Sequence, residues 1–276
     1  MTPAWRRFAA DGPAMAALAI VGLFVGAAVF AGVAAPYDPL AIDLPSNYLP
    51  ASRGHWLGTD HLGRDTFSRL LAGARVSLTI ALVSTLAGLL FGAVLGLVAA
   101  WARGRTEGAI MQVVDVLLSF PDMLLAIAVA TILGRGSLAT IVAVAVFSIP
   151  IFARLVRASA QAVVGADFVL ASRAAGASSA RVLVRHVLPQ CYAPIVAQGT
   201  ITLGSAILFA SGLSFLGLGV QPPDPEWGAM LARGRELLRS SPIGAVAPGV
   251  AITLVVLSFS LVGDGLKDAL DRRRPG

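Results

Sequence analysis

A chain of 276 residues that is 57% hydrophobic and 13% charged, with mean hydropathy +0.81, lies far from the roughly 25% charged composition of soluble domains. This excludes a water-soluble globular domain and predicts an all-α polytopic membrane protein. The net charge of +6 and pI near 10.6 would suit a nucleic-acid partner, but the positive charges sit in short loops between apolar runs. That pattern belongs to membrane topology and anionic headgroups, so no nucleic acid is expected. Cys191 is the single cysteine, which leaves no intrachain disulfide and no cysteine metal site.

Trp5, Arg6 and Arg7 precede the first apolar run as an interfacial anchor. Ala14 to Ala35 is long enough to cross, since about 20 residues span the hydrocarbon core. It lacks a small-residue cleavage site at a convincing position, so it reads as a retained helix. Pro36-Tyr37-Asp38-Pro39 ends it, and a polar loop runs to about residue 73. Within that loop, Phe67, Leu70, Leu71 and Ala74 fall at helical spacing and predict an amphipathic helix lying at the membrane surface. Residues 1–75 therefore form an N-terminal segment, and 76–276 a core with five further spans. His55 and His61 lack a carboxylate or cysteine cluster at ligand spacing, and they read as surface histidines rather than metal ligands.

The second span, Val76 to Trp101, carries Gly88, Gly92 and Gly96, a G-x-x-x-G-x-x-x-G series that puts three glycines on one face for close helix packing. Arg103 and Arg105 form a basic turn before the third span, about Ala109 to Leu133, which Pro121 should kink. Asp115 and Asp122, seven residues apart, would share one face of that helix about 10 Å apart along its axis. Near mid-membrane a carboxylate costs roughly 2.5–3.5 kcal/mol. Two readings stand open for Asp122: a group lining a translocation path with Pro121 and Asp115, or a polar residue satisfied at the kink. For Asp115, near the end of the span, the second reading is preferred.

The fourth span runs from Leu138 to about Leu155, contains Pro150, and ends at Arg154 and Arg157. A polar loop, residues 158–192, follows. In it Asp167 is a candidate helix start, Gly176 a break, and Ser178 and Ser179 caps of a second short helix that Pro189 ends. Ala171, Ala174, Ala175 and Ala177 would let another protein surface approach the backbone closely, with Arg173, Arg181 and Arg185 meeting acidic groups there. The fifth span runs from about Pro194 to Gly219. Asp224 as cap with Pro225 at the first helical position predicts a short helix to about Arg239. Pro248 to Val262 is the core of the sixth span. With six spans and both termini inside, thirteen of the 21 basic residues fall on the cytoplasmic side, among them Arg272 to Arg274.

The loop resembles the EAA loop of the membrane subunits of bacterial ABC importers, in their dipeptide, oligopeptide and nickel branch. Arg173, Ala174, Gly176, Ala177, His186, Leu188 and Pro189 match its pattern E-A-A-R-A-x-G-A … R-H-x-L-P. Leu170-Ala171-Ser172 stand where E-A-A is usual, so the glutamate is missing. Residues 58–78, GTDHLGRDTFSRLLAGARVSL, resemble the same branch, as does the tail from Gly263. The resemblance implies a MetI-like permease fold in the bacterial inner membrane, with the loop as the coupling helix that docks in a groove of an ATPase subunit. It also implies a second homologous permease subunit, one or two ATPase subunits that hold the ATP and Mg, and an extracytoplasmic substrate-binding protein. No cofactor is expected on this chain. Nickel and glutathione systems share these motifs, so peptide, nickel and glutathione all stay open as cargo.

The chain cannot hydrolyse ATP alone, for it has no G-x-x-x-x-G-K-[ST] and one lysine, Lys267. An intramembrane serine protease is disfavoured: Ser214 lacks a following glycine, and no histidine lies in any predicted span. An ion-coupled carrier would need an inverted repeat and paired intramembrane ions, and no repeat is found.

Overall fold

Within hydrocarbon a chain must satisfy its own backbone hydrogen bonds, so each long apolar run folds as a helix. A computed structural model describes residues 3–236, 238 and 241–270. Its helices are α1 (Pro3–Ala10), α2 (Gly12–Ala34), α3 (Thr66–Ala102), α4 (Gly104–Ser119), α5 (Asp122–Leu133) and α6 (Ser137–Val164). The short α7 (Asp167–Ala174) and α8 (Ser179–Val182) follow, then α9 (Tyr192–Phe215), α10 (Trp227–Arg235) and α11 (Ile243–Leu270). Among the described residues the sole β feature is an isolated bridge, Thr59 to Asp65. The sixth-span helix begins before Pro248 and continues past Val262, and the expected end at Arg239 and the three terminal arginines lie outside the described residues.

Several expected boundaries move, each for a local reason. The amphipathic piece at 66–75 is not a separate surface helix. It is the start of α3, whose 37 residues extend about 55 Å. Asp65 caps this helix by accepting the N–H of Ser68 at 2.7 Å, and no glycine or proline separates Arg75 from Val76. Its apolar face is covered by protein: Trp56 packs on Phe67 with tilted rings 4.9 Å apart, Ala74 is buried, and Trp227 Nε1 donates to the Leu70 carbonyl at 3.0 Å.

Pro121 breaks the third span rather than kinking it. Phe120 and Pro121 are both extended, as expected of a proline and the residue before it, and α4 meets α5 at 96°. Asp115 and Asp122 therefore stand on different helices. Beyond Leu155, α6 continues to Val164, so Arg154 and Arg157 lie along it. Pro189 does not end the helical path. The turn widens over Leu183–Val187, where Leu188 N–H reaches back to the Leu183 carbonyl, and the chain passes through Leu188–Cys191 into α9. The cap of α10 is Glu226, not Asp224.

The glycine series sets the centre of the bundle. A Cβ at Gly88 would stand 2.4 Å from Ser148 Cβ, one at Gly92 2.6 Å from the Ile149 carbonyl, and one at Gly96 2.6 Å from the Ala153 carbonyl. Numbers rise together on both helices, so α3 and α6 run parallel. The chain must then return between them, and the broken α4–α5 pair makes that return, so the five long apolar helices become six spans when this pair is counted as one. Helices α9 and α11 run antiparallel, with Gly204 against Val256 and Phe259, and Gly263 against Ile201. Phe8, Ala14 and Ala17 form a cluster with Val262 and Ala269, so α1 and the start of α2 lie at the C-terminal end of α11. Large apolar side chains such as Phe30, Leu86 and Leu90 face outward and make the lipid belt.

At the opposite end Glu226 is fully buried between α3, α9 and α10. It accepts hydrogen bonds from Gly228 N at 3.0 Å, Ala229 N at 2.8 Å and the Ser77 hydroxyl at 3.2 Å. Burial pushes its carboxyl above the usual range, opposed by those N–H donors. Glu226→Ala should destabilise the chain by about 2 kcal/mol or more, because it removes a cap and strands buried donors. Gly92→Val should lower the unfolding temperature in detergent, with about 1–3 kcal/mol of overpacking. Gly22→Val, at a site with nothing within 4 Å, should leave it unchanged.

Candidate functional site

The segment after α6 is built to hold one face in and one face out. Asp167 opens α7, and Ala175 closes it with Gly176 in the left-handed region at φ +83. Gly176 N–H reaches the Arg173 carbonyl at 2.9 Å, and Ala177 N–H the Ser172 carbonyl at 3.1 Å, which satisfies the last carbonyls of the helix. Ser178 then caps α8 by accepting the N–H of Arg181 at 3.4 Å, and Ser179 is the first residue of that helix.

Val169, Val182, Val187 and Cys191 are fully buried against Leu97, Ala100, Val156, Ala160 and Val164. These valines anchor the segment beneath α3 and α6. The sequence reading missed them, although the wide spacing of single valines in an otherwise polar stretch carries the signal. Leu170 is 50% exposed, and Asp167, Ala171, Ala174, Ala175, Gly176, Arg181 and Pro189 are exposed with it. Ser172, Ala177 and His186 are half-buried. Arg173 does not stand free, since its guanidinium lies 4.8 Å from the centre of the Trp101 ring, tying α7 to the end of α3. The result is a contact surface of small, apolar and cationic groups. It has no nucleophile with a partner base, and among the described residues no three His, Cys, Asp or Glu are grouped to hold a metal.

The two aspartates separate. Asp115 accepts from Arg154, and Glu107 accepts from Arg157 Nε at 2.7 Å and from Gln161, so two polar ties hold α4 to α6. The Asp115–Arg154 pair is more than half exposed, where such a pair contributes about 0–1 kcal/mol. Asp122 is exposed as the first residue of α5, directly after the break, where the cap residue Pro121 offers no side-chain hydrogen bond. Pro121 is exposed beside it. Met123 turns inward to the site where a Cβ on Gly212 would stand 2.8 Å from its Cε.

Residues 88–275 match the family described as binding-protein-dependent transport system inner membrane component, and residues 2–51 the N-terminal TM domain of oligopeptide transport permease C. The chain is 44% identical over 273 residues to the di/tripeptide transport system permease protein DppC of Pseudomonas aeruginosa, covering 97% of this chain and 90% of that one. It is 46% identical over 273 residues to the glutathione transport system permease protein GsiD of Escherichia coli, covering 99% and 90%. In fold it is similar to a chain of the inward-facing methionine ABC transporter MetNI, with TM-score 0.60 and 21% identity over 75% of this chain and 98% of that one. The chain belongs to the family of binding-protein-dependent inner-membrane transport components, as an ABC importer permease of the dipeptide and oligopeptide branch.

Proposed function

We propose that this permease moves dipeptides or oligopeptides inward across the cytoplasmic membrane, driven by separate ATPase subunits that dock on residues 165–189. The observation that carries the coupling is the two-faced build of α7 and α8: buried valines inside, and Leu170, Ala171, Ala174 and Ala175 exposed outside. An apolar and small-residue face open beyond the lipid belt suits a groove on another protein. The loop shares its end of the bundle with α1 and the end of α11, in keeping with both termini and the ATPases lying in the cytoplasm. ATP and Mg belong to those ATPases, a second homologous permease completes the path, and a binding protein delivers cargo from outside. A relative named for di/tripeptide transport supports the peptide reading. Relatives named for glutathione transport support a second, that the cargo is glutathione.

Asp122 suits the path, since it is an exposed carboxylate at a helix break, able to meet the ammonium of a peptide. Asp122→Asn should slow peptide uptake or change its selectivity, and unchanged kinetics would remove it from the path. Gly176 is exposed with nothing within 4 Å, so a valine there meets only backbone strain, roughly 1–2 kcal/mol for a left-handed residue. Gly176→Val should leave the subunit in the membrane but uncouple ATP hydrolysis from uptake. Coupled uptake at the normal rate would sink the docking surface. Affinity purification in mild detergent should bring with this chain a second six-span subunit and P-loop ATPases. A chain that purifies alone and active refutes the importer.

A further inference from the structure

At the end of the bundle opposite α7, the loop after α2 folds over the start of α3 and the end of α9, and α10 closes the far side. Between them is a cavity of about 370 Å³. The segment 58–65 forms one wall, and apart from Asp65, the cap of α3, its polar residues have no role described above. Asp60 is its organiser: Oδ1 accepts the N–H groups of Leu62 at 2.8 Å and Arg64 at 3.0 Å, and Oδ2 accepts Arg64 Nε at 2.7 Å. Arg69 Nε stands 3.5 Å from the same Oδ2, and its Nη1 donates to the Pro39 carbonyl at 2.8 Å.

Both guanidiniums are held in place and both line the cavity, each only 6% exposed. They share the Asp60 carboxylate, with Asp224 adding a second negative charge near Arg69. Among the described residues the two terminal nitrogens of Arg64 and Nη2 of Arg69 have no hydrogen-bond acceptor, so spare donors remain. Arg233 and Arg235 of α10 line the same cavity, with Arg235 held over the Phe215 ring at 4.6 Å. Asp224 and Glu236 are the acids on the other part of the wall. His61 also lines it, and burial holds its pKa below the usual range, so at neutral pH it adds little charge.

A buried charge that is not fully compensated is costly, and a planar fork of guanidinium donors is satisfied best by a carboxylate taken bidentately. The volume falls at the small end of ligand sites, roughly 300–1,000 Å³. We propose that this cavity, walled by Arg64, Arg69 and Arg233 with Asp224 opposite, is a binding site for a small zwitterion whose free carboxylate meets the arginines, namely the C-terminal end of a short peptide. The carboxylate part rests on the arginines alone, whereas the peptide part rests on the importer reading. Such a site would hold cargo on the entry side before any ATP-driven step.

The test is isothermal titration of the full-length chain in lipid nanodiscs, without ATP or binding protein, using Ala-Ala and its C-terminal amide as probes. Ala-Ala should bind saturably, and the amide at least about tenfold more weakly, as loss of a charge-assisted pair implies. Arg64→Gln should weaken Ala-Ala by about 10–100-fold, with partial recovery in Arg64→Lys. Arg64 also braces Asp60, so the exposed Arg233→Gln serves as the variant that cannot unfold the loop, and it should weaken binding about tenfold. Equal binding of the amide, no binding of Ala-Ala by the folded chain, or unchanged affinity in Arg233→Gln and Arg64→Gln overturns the site. If the variants spare Ala-Ala but weaken docking of the purified binding protein, the cavity is a protein contact and the site is again overturned. The importer reading fails separately: a chain that binds Ala-Ala yet never associates with an ATPase keeps the site and loses the importer.

Discussion

The close approach of α3 and α6 is the contact on which the rest of this bundle depends. Lipid tails are as apolar as leucine, so helices gain little by hiding apolar surface from one another and must gain by backbone proximity instead. Gly88, Gly92 and Gly96 provide it, each leaving no room for a Cβ against Ser148 to Arg157. Because the two helices run parallel at this seam, a third pass must bring the chain back between them. That pass is the broken α4–α5 pair. The seam also places the end of α6 beside the end of α3, so that α7 emerges where Arg173 can reach Trp101.

Polar ties then secure the two ends of an otherwise apolar bundle. At the end holding α1 and α7, Asp115 with Arg154 and Glu107 with Arg157 and Gln161 fasten α4 to α6. At the other, Glu226 draws α10 down onto α3 and α9 through Ser77, Gly228 and Ala229. In the first set Asp115–Arg154 is exposed and worth little, while Glu107–Arg157 is half-buried. The second is buried with matched donors, which suits a rigid rim. The two kinds of joint sit at opposite ends of the chain's bundle.

The outer face of α7 and α8 follows from the same economy. Val169, Val182 and Val187 place their apolar surface on α3 and α6, so the remaining face of small residues is exposed among the described residues. The position where a glutamate is usual in the resembled loop is Leu170, half exposed, which presents apolar area there instead of a carboxylate.

What the residues determined alone was local and periodic. Apolar runs of spanning length located the passes, the G-x-x-x-G-x-x-x-G series announced a tight helix contact, and Gly176 marked the left-handed turn that ends α7, because each of these depends on neighbours close in sequence. The spacing of the loop likewise made its family legible. Only the tertiary structure decided the rest. Whether α3 began at Thr66 or Val76 depended on Trp227, far along the chain, reaching the Leu70 carbonyl. Pro121 became a break of 96° instead of a kink because α4 and α5 were each held by other helices. Pro189 was absorbed into a helical path by a widened turn packed through Val187 and Cys191. Arg69 reaches the carbonyls of Pro39 and Pro223, 30 and 154 positions away, and Glu226 reaches Ser77, 149 positions away, and takes the cap from Asp224. No window of sequence contains those distances, since they are set by where the glycine seam lets whole helices come to rest.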